Sequence, residues 1–293
     1  MDMALIGIVT VLYGSETVVD EFFKTLDIQS YKDFVLYVVD NKSPDKSLEK
    51  SKELAKNVSF KTVFIENEGN YGVAKGNNIG IKAALEDGCS YVLLSNNDIK
   101  LNADTIENLM FSVNEDNALL AVPKIYYYGT NLIWCAGGTF DKSTGTTRHF
   151  HVREEDQGQC NDKKIVPYAP TCFMVISRKV FEQIGFMDEQ YFVYFDDTDF
   201  MYRAYQAKIP LYYYPNSTLD HKESVSTGHK SAFSLYYLMR NIIIFNNKYR
   251  SKLYLIFIIL RNFAYLSIVI AFSTKWPVLK AGYKGLYDGI KAV

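Results

Sequence analysis

Tyr91-Val92-Leu93-Leu94-Ser95-Asn96-Asn97-Asp98 is an apolar run that stops abruptly in a polar cluster. It reads as a buried strand whose end emerges at the rim of a sheet. The same figure recurs upstream. Ile6-Gly7-Ile8-Val9-Thr10-Val11-Leu12 ends at Tyr13-Gly14-Ser15, and Phe34-Val35-Leu36-Tyr37-Val38-Val39 ends at Asp40-Asn41-Lys42-Ser43. Lys61-Thr62-Val63-Phe64-Ile65 ends at Glu66-Asn67. Helical patterns separate these strands. Residues 17 to 30 carry Val18, Phe22 and Leu26 at helical spacing behind Ser15 or Thr17 as a cap. A lysine-rich helix follows at about 45 to 57, and a third spans Lys75 to Asp87 behind a loop rich in Gly and Asn. Strands alternating with helices predict an α/β fold with a doubly wound, mostly parallel sheet, and ligands in such sheets bind beyond the carboxyl ends of the strands. Ordinary turn chemistry also favours Asn, Asp, Gly and Ser there, so each end counts only in combination.

A second polar cluster supplies the combination. Phe192-Val193-Tyr194-Phe195-Asp196-Asp197-Thr198-Asp199-Phe200 sets three carboxylates within four positions, framed by aromatics. Acids in an apolar frame are costly to ionise unless a cation, an arginine or a substrate hydroxyl answers them. Either run alone is compatible with a solvated helix cap. Two such clusters at strand ends point to an enzyme that handles a metal and an anionic substrate.

The chain has 293 residues, which predicts one large α/β domain with an appendage. Its net charge of −1 gives no basic field for nucleic acid. Cys89, Cys135, Cys160 and Cys172 are scattered without metal-ligand spacing and read as reduced thiols of a cytosolic protein. The apolar run Ala4 to Leu12 lacks a basic n-region and a cleavage site, so it reads as a strand and not a signal peptide.

From about residue 120 the pattern turns irregular, with a strand-like piece at Asn131 to Phe140 and a polar stretch at 142 to 164 expected to be a mobile loop. Tyr168 to Ser177 reads as a strand, Lys179 to Ile184 as a short helix, and the acidic run leads a helix through Ala207 on which Asp199 and Arg203 can pair. Leu253 to Phe272 is almost wholly apolar, but Arg261 and Asn262 interrupt its middle. A central Arg costs about 2.5 to 3.5 kcal/mol on insertion scales. Lys248, Arg250, Lys252, Lys275, Lys280, Lys284 and Trp276 flank the run, which favours a helix lying in the headgroup region over a spanning one. A buried core helix or an oligomer contact is the alternative.

Several motifs in order resemble glycosyltransferase family 2, most closely its rhamnosyltransferase-like bacterial branch. They are Val38-Val39-Asp40-Asn41-Lys42-Ser43, then Asn67-Glu68-Gly69-Asn70-Tyr71-Gly72-Val73-Ala74-Lys75-Gly76-Asn77-Asn78-Ile79-Gly80, then Leu93-Leu94-Ser95-Asn96-Asn97-Asp98. Gly185-Phe186-Met187-Asp188-Glu189, the acidic run, Arg203, Pro215, His221, Ser224 and Arg240-Asn241 extend the likeness over about residues 4 to 247.

The resemblance implies a GT-A fold at 1–247, with a nucleotide-sugar-binding half at 1–100, an acceptor and catalytic half at 101–247, and a membrane-associating segment at 248–293. It implies an inverting, metal-dependent transferase. Asp40 would read a uracil or thymine base; read from the residues alone, it caps the turn before Pro44. Val11, Tyr13, Asn70, Gly72, Lys75, Gly76 and Asn78 would contact the donor, with Gly69, Gly72 and Gly76 relaxing the loop so that backbone N–H groups approach a diphosphate. Asn78 also reads as a polar residue of the helix. Asn96, Asn97 and Asp98 stand where the family has an Asp-x-Asp run. Asp98 would hold Mn²⁺ or Mg²⁺ with His221, and Asn96 removes one charge from that site. Asp197 matches the catalytic base, and Asp196 would orient the acceptor. Tyr191, Tyr194 and Phe195 offer a sugar platform or core packing.

The sequence thus predicts a cytoplasmic enzyme, peripheral on the inner face of the plasma membrane, that acts in surface polysaccharide synthesis. By likeness to that branch the donor would be a dTDP- or UDP-sugar, with rhamnose favoured and galactose, glucose or galactofuranose open. The acceptor is a polyprenyl-diphosphate-linked or other glycan, no nucleic acid is bound, and an oligomer is open. One rival is a nucleotidyltransferase, but Tyr13-Gly14-Ser15-Glu16 lacks the basic signature such enzymes need after the first strand. The other is a non-catalytic scaffold on the same fold.

Overall fold

The computed structural model describes residues 5–222, 231–270 and 276–293, with side chains at 269 and 270 left aside. Ala4, Ser224, Lys275 and the last two residues of the run Leu253 to Phe272 lie outside the described residues.

The first half follows the alternation. Strand β1 (Ile6–Leu12), helix α1 (Val19–Asp27), β2 (Phe34–Asp40), α2 (Ser47–Leu54), β3 (Lys61–Glu66), α3 (Gly72–Glu86) and β4 (Tyr91–Ser95) succeed one another. Continuous apolar runs make β1 and β2 buried on both faces, and β1 pairs in parallel with β2 and with β4, while β2 pairs in parallel with β3. The amphipathic α1 buries Val19, Phe22, Phe23 and Leu26 against one face. Helix α3 lies on the other, beginning at Gly72, three residues before the expected start. Gly72 and Gly76 therefore both belong to the helix, and Gly76 does not relax the loop. A Cβ at Gly76 would come within 2.9 Å of Val11, so its smallness serves helix-to-strand packing.

The second half, with β6 at Leu120–Tyr127, β10 at Lys164–Val166, β11 at Phe173–Ser177 and β12 at Leu211–His221, completes a ten-stranded sheet in the order β10-β12-β6-β11-β4-β1-β2-β3. Strands β5 (Ile99–Leu101) and β7 (Ile133–Cys135) stand on the flanks. Strand β11 is antiparallel to both β4 and β6, and β12 runs parallel to β6. Pro215 is accommodated where the β12–β6 register shifts between Tyr214 and Thr218, so β12 continues to His221. Helices α4 (Thr105–Asp116), α5 (Arg178–Ile184) and α6 (Asp196–Gln206) complete this half.

The stretch expected to be a mobile loop at 142–164 has structure. Strands β8 (Gly138–Asp141) and β9 (Thr146–His149) form a hairpin. The remainder is pinned where Asp156 meets the Lys124 ammonium at 2.6 Å, with Lys124 only 2% exposed. A lysine so deeply buried needs a fixed counter-charge, which the polar segment provides.

At the C-terminus α7 (Ala232–Tyr249), α8 (Lys252–Tyr265), a π-helical segment (Leu266–Ile270) and a last helix (Trp276–Lys291) form a third core with Tyr191, Phe195 and Tyr202. Among the described residues no helix is long and apolar enough to cross a membrane. Helix α8 continues through Arg261-Asn262, where Asn262 is buried and donates to the Ile258 carbonyl.

Candidate active site

Strand β1 lies between β2 and β4, so the chain order reverses there, and a cleft of about 980 Å³ opens beyond the strand ends at that reversal. Of the residues expected at the donor, Val11, Tyr13, Asn70, Gly72, Asn96, Asn97 and Asp98 line it. Asp40, Lys75, Gly76 and Asn78 do not. Asp40 is buried with both oxygens on the Ser43 N–H, at 3.2 and 3.3 Å, the turn-capping geometry read from the residues alone. The Lys75 ammonium lies over the Tyr71 ring. Asn78 spends its amide on the 187–189 segment, donating to the Met187 carbonyl and Glu189 and accepting from the Met187 N–H. Its position is that of a strut between α3 and the segment preceding the acidic run, in keeping with the helical-residue reading.

Gly72 has a specific reason to be glycine. Its φ is +81°, and a Cβ would stand 2.2 Å from the Phe192 carbonyl oxygen. That carbonyl accepts from the Val73 N–H at 2.7 Å, so the donor-side loop docks directly on the acidic run. Asn41, which the sequence reading left without a role, reaches the cleft and ties the loop down by donating to the Gly72 carbonyl.

The two candidate metal ligands come together from 123 residues apart. Antiparallel pairing of β12 with β5 sets His221 opposite Ile99, and His221 Nε2 lies 3.1 Å from Asp98 Oδ1. Burial opposes ionisation of Asp98, but the hydrogen bond and charge of His221 outweigh it and hold the carboxyl below its usual range. His221 Nδ1 is buried with no partner among the described residues. Trp134 packs edge-on against this imidazole, with ring centroids 4.5 Å apart.

The acids face them across the cleft. Tyr194 and Phe195 hold consecutive left-handed backbones, φ +61° and +68°, which cost about 1–2 kcal/mol each for non-glycine residues. The turn they make feeds straight into α6, so Asp196 and Asp197 sit in its first turn, where the helix dipole favours negative charge. Asp196 is 5% exposed, and burial, then the neighbouring Asp197 carboxylate, push it up to about 8. Asp197 accepts from the Tyr168 hydroxyl at 2.5 Å and from the Thr198 N–H at 2.6 Å. Asp199 is fully buried and pairs with Arg203 at 2.8 Å, as expected, with Lys248 and Tyr249 also on it. Tyr191 and Phe195 are core residues, whereas Tyr194 lines the cleft.

Trp134 and Tyr168 escaped the sequence reading. A signal existed for the first: Ile133 and Cys135 are both buried, and strand alternation turns the residue between them to the opposite face. Tyr168 carried none, because its role depends on a contact 29 residues away with Asp197.

The description "Glycosyl transferase family 2" matches residues 7–185, more than half of the chain. The chain belongs to glycosyl transferase family 2. Sugar transfer is the activity this membership supports. Over 253 residues the chain is 29% identical to the low-salt glycan biosynthesis hexosyltransferase Agl10 of Haloferax volcanii, covering 84% of this chain and 77% of that protein. It is also 29% identical over 158 residues to the dTDP-rhamnosyl transferase RfbF of Shigella flexneri, covering 52% of this chain and 49% of that one. Two solved structures share the fold. GalNAc-T7 with UDP, GalNAc and Mn²⁺ gives a TM-score of 0.67 at 14% identity, over 100% of this chain and 57% of that chain. S. aureus TarS 1-349 with UDP-GlcNAc gives 0.59 at 18% identity, over 99% and 81%. The fold is that of a GT-A family 2 glycosyltransferase, an α/β architecture around a mostly parallel sheet, as the motifs implied.

Proposed function

We propose that this family 2 glycosyltransferase moves a sugar, with inversion at its anomeric carbon, from a nucleoside-diphosphate sugar to a glycan acceptor hydroxyl. One observation carries the reading: a single cleft joins the Asp98–His221 pair to Asp196 and Asp197, with the donor-side loop docked between them. Inversion needs a base on the face opposite the leaving diphosphate. Asp197 is that base. Tyr168 and the Thr198 N–H fix its two oxygens, and it takes the acceptor proton as the new C–O bond forms. Asp196, kept protonated by its surroundings, donates a hydrogen bond and orients the acceptor.

The residues fit a divalent cation. A 3.1 Å separation between Asp98 Oδ1 and His221 Nε2 matches adjacent corners of an Mg²⁺ or Mn²⁺ octahedron, about 3 Å for 2.1 Å bonds. Among the described residues no group of three or more His, Cys, Asp and Glu is assembled, which suits an ion completed by substrate phosphates and water. When bound, the ion neutralises charge developing on the diphosphate. Asn96 and Asn97 face the same cleft, and Asn97 holds the end of β1 by donating to the Val11 carbonyl at 2.8 Å.

For the sugar, the name of RfbF points to rhamnose from a dTDP donor, and that of Agl10 to a hexose. A lipid-linked glycan acceptor fits the C-terminal helices, whose outward residues Leu253, Ile256, Leu260 and Trp276 are exposed. That face would hold the enzyme on an anionic membrane surface. The test is release of dTDP and UDP from their sugar donors by wild type and Asp197→Asn. The substitution should lower turnover about 10²- to 10⁴-fold with nucleotide affinity unchanged. Full turnover by a folded Asp197→Asn protein would remove the base from the mechanism.

A further inference from the structure

The acidic run is held by α7, a helix that lines the far side of the cleft and already sets Lys248 and Tyr249 on Asp199. Asn241 on α7 is fully buried, and its side-chain amide donates to two successive carbonyls, Val193 and Tyr194, each at 2.9 Å. Its own oxygen accepts from Arg240 at 2.8 Å, and Arg240 also reaches the Gln190 carbonyl at 3.2 Å. Tyr194 and Phe195 are the two residues with left-handed backbone immediately before Asp196. Neither is glycine, so the turn must be fixed from outside. The Phe192 carbonyl, between these anchor points, is taken by the Val73 N–H on the donor side. The backbone from 190 to 194 is thus gripped from both walls, and the two amide protons of Asn241 sit where the chain bends into the catalytic helix.

We propose that Asn241 is a positioning residue for the catalytic carboxylates, fixing the left-handed Tyr194–Phe195 turn so that Asp197 meets the acceptor hydroxyl. The inference rests on the role given to Asp197 above. Among the described residues no backbone N–H bonds to the Val193 or Tyr194 carbonyl, so shortening Asn241 leaves both without their donor. The turn then relaxes and α6 carries Asp197 off its line. Asp98, His221, Asn96 and Asn97 stand on β4, β12 and their loops, and the donor-side loop meets the run at the Phe192 carbonyl, ahead of the turn, so donor affinity should be kept.

The experiment compares wild type, Asn241→Ala, Asn241→Ser and Asp197→Asn as full-length proteins. dTDP-rhamnose and UDP-glucose serve as donors, with nucleoside-diphosphate release giving kcat and KM and calorimetry giving dTDP and UDP affinity. A displacement of about 1 Å costs on the order of 10²-fold. Asn241→Ala should therefore lose about a hundredfold in kcat, and Asn241→Ser, which keeps one donor, should lose less. Donor KM and nucleotide affinity should stay within twofold. Equal kcat in wild type and both Asn241 variants would overturn the inference while leaving the Asp197 reading intact. So would loss of nucleotide binding in step with kcat, or failure of both variants to fold, because Asn241 would then be a general fold element. Full activity in Asp197→Asn would instead sink the reading beneath it.

Discussion

Asp196 is a carboxyl that the fold keeps uncharged. An unfolded chain ionises it near pH 4, whereas burial and the Asp197 charge delay this to about 8 in the folded protein. Unfolding therefore releases a proton between those values, and this group's contribution to stability falls as pH rises across them. Asp196→Asn keeps the shape and removes the titration. Its Tm should be close to that of wild type near pH 4 and exceed it increasingly toward pH 8. A Tm difference constant with pH would contradict the assignment. Tyr168 makes a second residue-scale case. Hydrogen bonds to charged groups contribute about 1.5–3 kcal/mol, so Tyr168→Phe should lower kcat tenfold or more while donor KM holds. Unchanged kcat would show that the 2.5 Å contact with Asp197 does not order the proposed base.

The segment around Asp156 shows what an element can owe to one buried charge. Burial works against the Asp156 carboxylate, yet hydrogen bonds from Lys124 and Tyr126 hold it down at about 2. Removing the lysine leaves a carboxylate with no counter-charge at a largely buried site, which costs about 3–5 kcal/mol. Lys124→Met should lower Tm by several degrees; a Tm within a degree of wild type would mean that the pair does not fasten the segment. This anchor was invisible in the sequence because polar composition at 142–164 is what a solvated loop also has. Short continuous apolar runs closed by polar turn residues did reveal β1, β2 and β4, which are buried on both faces, and the similar run at 61–65 revealed the half-exposed edge strand β3. Helix α3 was placed three residues late, since Gly72 looks like a loop residue until Phe192 is seen pressing on it. The site divides in the same way. Asp98, Asp196 and Asp197 lie in short motifs, and His221 was singled out through the resemblance; the fold brings all four to one cleft, whereas Asn41, Trp134 and Tyr168 make contacts that only the closed fold creates.

At the scale of the whole molecule, the C-terminal helices have two faces. One buries Leu255, Ile258 and Leu266 in the third core, and the last helix packs so closely on α7 that a Cβ at Gly285 would touch the Tyr236 carbonyl. Deleting these helices would therefore disturb α7 and, through it, the acidic run. Charging the outward face is the cleaner test of membrane contact. Leu253→Glu combined with Ile256→Glu and Leu260→Glu should abolish flotation with phosphatidylglycerol vesicles and leave Tm and nucleotide affinity unchanged. Undiminished flotation would show that this face is not the membrane contact.

The central claim is that the cleft at the β1–β4 reversal binds a nucleotide diphosphate through Asp98 and His221. Calorimetric titration of UDP and of dTDP, with and without Mn²⁺, into wild type and Asp98→Ala tests it most directly. The account predicts binding that strengthens with Mn²⁺ in wild type, loses that dependence in Asp98→Ala, and favours one nucleotide over the other. Absence of binding by either nucleotide to the folded wild-type protein, or Mn²⁺ dependence that survives Asp98→Ala, would contradict it.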